Sequence, residues 1–205
     1  MRIQRRKQKS DGTGEYRSRL KKAASATGIK GRVCGASCSV RCPQCGSTAC
    51  QCLCMPSCLE APRALSSEPE CFPIEPGIVP LVFEMKRLGM FSPCWSCEGH
   101  SHPDGSLAKP PRVWFYSNAM VQVRLFANGL ADLKFAKQLN ASWNIVVTYS
   151  DPDNPDTAFS VEPILAADSK IALRELQGDV ATIARSLQAM MNGEAKKLLE
   201  ATARS

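Results

Sequence analysis

Residues 142–164 read Ser142-Trp143-Asn144-Ile145-Val146-Val147-Thr148-Tyr149-Ser150, then Asp151-Pro152-Asp153-Asn154-Pro155-Asp156, then Thr157-Ala158-Phe159-Ser160-Val161-Glu162-Pro163-Ile164. In the first nine, Trp143, Ile145, Val147 and Tyr149 fall on one side, and Asn144, Val146, Thr148 and Ser150 on the other. That is the period of a β-strand. Two prolines among aspartates make the middle a turn. Asp151, Asp153 and Asp156 have the oxygens for calcium, but no bidentate glutamate follows at EF-hand spacing. Residues 158–164 are then the antiparallel return strand.

Outward from this hairpin, the chain supplies elements to complete one domain. Ile78, Leu81, Val82, Met85 and Leu88 recur at helical spacing and Gly89 closes the run. Met90-Phe91-Ser92-Pro93-Cys94 is expected to be a strand leading into a turn at Cys97-Glu98-Gly99-His100. Residues 101–111 read as loop and 113–116 as a strand. A helix capped by Ser117 or Asn118 is expected to run to about Leu139, burying Val121, Leu125, Leu130 and Leu133. A last helix opens at Asp168 and carries Leu173, Leu176, Val180, Ile183, Leu187 and Met190 in a seam of threes and fours. The seam serves either the chain's own sheet or a homodimer. The order predicts an α+β fold, with a mixed or antiparallel sheet and helices on one face.

This domain, residues 77–205, is expected to follow a disordered basic and Cys-rich N-terminal region. The chain has 205 residues and a formal charge of +7. Residues 1–33 carry eleven Lys and Arg against Asp11 and Glu15, a net of +9, which leaves −2 for the rest. Such an arm attracts nucleic acid or another anionic partner, or serves as a solubilising tail. Residues 61–76, interrupted by prolines, read as a linker. Met1-Arg2-Ile3-Gln4-Arg5-Arg6-Lys7 has the charge of a signal peptide's start, but no apolar segment follows. No window is apolar for long enough to span a membrane. The expected location is cytoplasmic, with an organellar transit peptide as the alternative.

Eight of the eleven cysteines lie between Cys34 and Cys58. In a reducing compartment, thiols packed this densely favour metal over disulfides. Cys42-Pro43-Gln44-Cys45-Gly46 has the spacing of a zinc knuckle, in which two thiolates reach one ion. Cys50, Cys52, Cys54 and Cys58 are the further candidate ligands. A second set, Cys94, Cys97, His100 and His102, holds the only two histidines of the chain. Alternatively, Cys97 is a thiol activated by His100. No Gly-rich phosphate loop is present. With both histidines confined to one loop, no Ser-His-Asp arrangement can be built.

The helix at 78–88, the turn Ser96-Cys97-Glu98-Gly99-His100 and the strand Pro111-Arg112-Val113-Trp114-Phe115 together resemble the tRNA wybutosine-synthesis methyltransferase family. They also resemble small proteins carrying the same turn. The likeness covers residues 78–116. It implies methyl transfer from S-adenosylmethionine to a tRNA base. It also implies a ligand pocket at Ser96, Cys97, Glu98, Gly99 and His100. The residues thus support three readings: a zinc-stabilised module binding nucleic acid or protein, a methyltransferase-like enzyme, and a non-catalytic dimeric scaffold.

Overall fold

A computed structural model describes residues 12–26, 61–148, 157–166 and 169–203. Four strands form an antiparallel sheet in the order β1-β4-β6-β5: β1 Phe91–Cys97, β4 Arg112–Ser117, β6 Phe159–Ile164 and β5 Ser142–Val147. The hairpin read from residues 142–164 is present, with Ser142 opposite Ile164 and Val147 opposite Phe159. Two short strands, β2 His100–Ser101 and β3 Leu107–Lys109, pair separately. The helices are α1 Gly12–Ala24, α2 Ala61–Ala64, α3 Val79–Leu88, α4 Met120–Phe135 and α5 Leu173–Ala203. The fold is α+β, as the order of elements predicts.

The alternation along β4 shows how the sheet is covered. Val113 and Phe115 are fully buried, while Trp114 and Tyr116, which alternate with them, are only half-buried. On the buried side, Phe115 meets Phe91, Phe126 of α4 and Phe159, with ring centroids 5.2 to 6.2 Å apart. These rings join three strands to one helix at aromatic contact distance. In α5, Leu176, Val180, Ile183 and Leu187 are completely buried in the same core. The seam of this helix is therefore occupied within its own domain, by α1, α3 and α4.

A buried carboxylate fixes the position of α5. Asp179 is 1% exposed. Its oxygens accept hydrogen bonds from the Asn140 backbone N–H (2.8 Å), Asn140 Nδ2 (2.9 Å), the Ala141 N–H (2.9 Å) and Trp143 Nε1 (3.0 Å). The turn between α4 and β5 is thereby tied to the helix.

Several boundaries differ from the sequence reading. Residues 1–33 were expected to be without structure, yet 12–24 form α1. Tyr16, Leu20 and Ala23 stand at helical spacing, and Leu20 and Ala23 are buried against the core. Arg19 bonds to Glu15 and to the Asn118 carbonyl, and Asn192 Nδ2 donates to the Ala26 carbonyl at 3.1 Å. The stretch expected as a linker is likewise held in place. Ala61 packs with Val79 and Phe83, and the Ile74 N–H donates to the Pro62 carbonyl at 2.8 Å. Residues 101–111 form the β2–β3 hairpin, because the Gly105 N–H closes onto the His102 carbonyl. Helix α4 begins at Met120, since Ser117 Oγ donates to the Ala119 carbonyl and to Gln122 Oε1 instead of capping. Helix α5 begins at Leu173, where Glu175 Oε2 accepts the Ala172 N–H at 2.8 Å. The 151–156 turn lies outside the described residues.

Replacing Asp179 by Ala leaves the buried Ala141 and Trp143 donors without an acceptor. That is expected to cost about 3 kcal/mol or more in urea unfolding. Asp179→Asn keeps one acceptor oxygen and is expected to cost less. Equal losses for both variants would assign the effect to the negative charge and the second acceptor oxygen, since Asn keeps the volume that Ala removes.

Candidate functional site

The Cys97–His100 turn at the end of β1 meets the Glu75–Gly77 segment that precedes α3. Each segment presents a carboxylate to the other's backbone. Glu75 Oε2 accepts the Glu98 N–H at 2.7 Å, and Glu98 Oε2 accepts the Gly77 N–H at 2.6 Å. Gln177 of α5 adds a bond from Nε2 to the Glu98 carbonyl at 3.3 Å. Gly99 makes the turn with φ +87°, a left-handed conformation that side chains disfavour. A Cβ on Gly99 would lie 2.6 Å from Leu173 Cδ1 and 2.9 Å from the Lys109 carbonyl oxygen. The tightness of this packing fixes where the residues on either side of Gly99 point.

Those neighbours converge on Glu75. Cys97 Sγ lies 3.3 Å from His100 Nε2, and Glu75 Oε1 lies 3.3 Å from the same nitrogen. The three ligand atoms all fall within 4.8 Å of one another. Among the described residues, this is the one group of three or more His, Cys, Asp and Glu side chains that could hold a metal ion. Around a tetrahedral zinc ion, bonds of about 2.0–2.3 Å put neighbouring donor atoms roughly 3.3–3.7 Å apart. Both contacts to His100 lie at the lower end of that range.

The same geometry discriminates between two kinds of chemistry. In a thiol–imidazole–carboxylate relay, the thiol and the carboxylate engage opposite nitrogens of the ring. Here both face Nε2. Three donor atoms this close together could share one cation.

Of the second metal set read from the sequence, the structure brings together Cys97 and His100. Cys94 and His102 are exposed and do not join the group. Although Cys94 is exposed as a residue, neighbouring atoms desolvate its thiol enough to push it up from its ordinary value, against the ligating thiolate form. His102 sits at the neck of the β2–β3 hairpin, where its N–H donates to the Ser106 carbonyl at 2.8 Å. At the tip, Asp104 accepts bonds from the Ser106 hydroxyl and N–H, which hold its carboxyl below the usual range. Glu75 was missed, because it lies in the proline-rich stretch 25 positions from the nearest histidine. The first cluster, Cys42, Cys45, Cys50, Cys52, Cys54 and Cys58, lies outside the described residues.

Glu75, Cys97 and His100 open onto a cleft of about 870 Å³, between residues 65–75 and β1, the edge strand among the described residues. Ser96, one of the expected pocket residues, lines it. Glu98 and Gly99, also expected there, build the turn behind it. No family model matches this chain, and neither a curated protein nor a solved structure matches it. Among the described residues, no helix is long and apolar enough to cross a membrane.

Gly99→Ala is expected to lower stability by roughly 1–3 kcal/mol, from the backbone conformation and the crowding by Leu173. Thermal unfolding checks this. A variant as stable as the parent would show that the turn relaxes freely.

Proposed function

We propose that this protein binds a zinc ion through Glu75, Cys97 and His100. The convergence of a carboxylate, a thiol and an imidazole on a single ring nitrogen carries this reading. The donor set suits zinc, which accepts oxygen, sulfur and nitrogen ligands without a geometric preference of its own. Glu98 and Gln177 act behind the donors and hold the two segments in register, as outer groups do in metal sites.

The protein acts as a binding module on this reading, with the basic N-terminal region as its contact for nucleic acid. Helix α1 supports that role: Arg17, Lys21 and Lys22 are exposed on a helix anchored to the core. Binding of this kind weakens as salt rises. Methyl transfer from S-adenosylmethionine to RNA is the second reading. It draws support from Ser96, Cys97 and His100 lining the cleft. Binding of labelled S-adenosylmethionine that is lost in Cys97→Ser would favour it.

Elemental analysis of the reduced full-length chain tests the metal site. Cys97→Ser, His100→Ala and Glu75→Gln are each expected to lose one equivalent of zinc relative to the parent. Cys94→Ser and His102→Ala are expected to retain it. The opposite pattern would sink the proposal. Glu98→Ala, which leaves all three donors intact, is expected to weaken zinc binding about 10- to 100-fold in a chelator competition.

A further inference from the structure

The cleft beside the three donors has walls of its own. Phe72, Ile74, Pro93 and Trp95 form apolar surface along it, and Lys109 is the one basic residue of its lining other than His100. Phe72 is 70% exposed and Trp95 47%. Rings of this size left open in a concave site are surface that an apolar ligand can cover. Trp95 is also braced, with its ring centroid 5.0 Å from that of Trp114 on the neighbouring strand. Its face is thus set before any ligand arrives.

On the metal reading above, which this inference presupposes, the charges of the centre can be counted. A carboxylate, a thiolate and a neutral imidazole balance a divalent ion. The three donors found among the described residues leave a tetrahedral ion one further position, and centres of this kind keep that position exchangeable. All three donors line the cleft, so an ion held among them borders it.

We propose that the ion's fourth position takes the anionic head of a small molecule with an aromatic or otherwise apolar body. The head group is an oxygen or sulfur donor. It binds the ion on the Lys109 side, where a lysine side chain turned into the cleft would offset its charge. The body lies against Phe72 and Trp95. The site is therefore a binding pocket for a metal-ligating amphipathic molecule rather than a closed structural centre.

Calorimetry on the zinc-loaded full-length chain tests this, with acetohydroxamate and phenylacetohydroxamate as probes. Both carry the same metal-binding head, and only the second carries a ring. Both are expected to bind, the aromatic compound about tenfold more tightly. Trp95→Ala and Phe72→Ala, both at exposed positions, should each reduce that preference and leave acetohydroxamate affinity unchanged. His100→Ala should abolish binding of both compounds together with one zinc equivalent. If His100→Ala loses the zinc but neither compound binds the parent, the centre is closed. The metal reading then survives and this inference fails. Equal affinity for the two compounds would overturn the apolar half of the ligand. Binding that persists in His100→Ala would place the compounds elsewhere and overturn the inference as a whole. If His100→Ala keeps all its zinc, the metal reading itself falls, and the inference with it.

Discussion

The structure hangs on the first two turns of α5, and within them on the buried carboxylate of Asp179. A carboxylate at 1% exposure is tolerable only when its oxygens are fully hydrogen-bonded, and four donors from residues 140–143 meet that demand. The same stretch of helix holds the candidate site. Leu173 packs against the Gly99 turn, and Gln177 bonds the Glu98 carbonyl. Leu176, between them, is completely buried. One rigid element thus sets both the start of β5 and the orientation of the Cys97–His100 turn. A shift of α5 would be felt at the sheet and at the donors together.

The site is built by exchange between two segments that are weak on their own. Residues 75–77 lie outside regular structure, and residues 98–99 form a turn that depends on a glycine at positive φ. Each segment supplies a carboxylate that accepts the other's N–H. Such bonds are charge-assisted and stronger than neutral ones. Glu75 therefore has two roles, as a potential ligand through Oε1 and as a clamp through Oε2. Using one carboxylate for both couples the geometry of the donors to the closure of the clamp. The His100 ring, nearly half exposed, can adjust to an ion, while Cys97, 6% exposed, is fixed by packing.

Much of the fold was legible in the sequence, because the signals were periodic and local. The alternation at 142–147, the three- and four-residue spacing at 78–88 and the Gly89 cap all correspond to the observed elements. The seam of α5 was read correctly as apolar, but its occupant is set by the packing of α1, α3 and α4 around it. The Tyr16, Leu20 and Ala23 stripe was visible too. The surrounding charge masks it, and a docking surface on the core gives it a reason to fold. The α4 start, and the β2–β3 hairpin in a stretch that reads as loop, differ for another reason. There, side-chain and backbone hydrogen bonds compete with propensity over one or two residues, and a pattern cannot resolve that.

The sequence by itself determined the chemistry at hand: a thiol and an imidazole three residues apart in a turn that needs Gly99, inside an α+β domain. Spacing within one loop reports on residues that backbone geometry must bring together. It says nothing of a partner arriving from another segment. Only the tertiary structure decided that Glu75 completes the group while Cys94 and His102 stand apart. Strand β1 and the hairpin carry those two away from the point where the donors meet, whereas the clamp between residues 75–77 and 98 brings Glu75 to it.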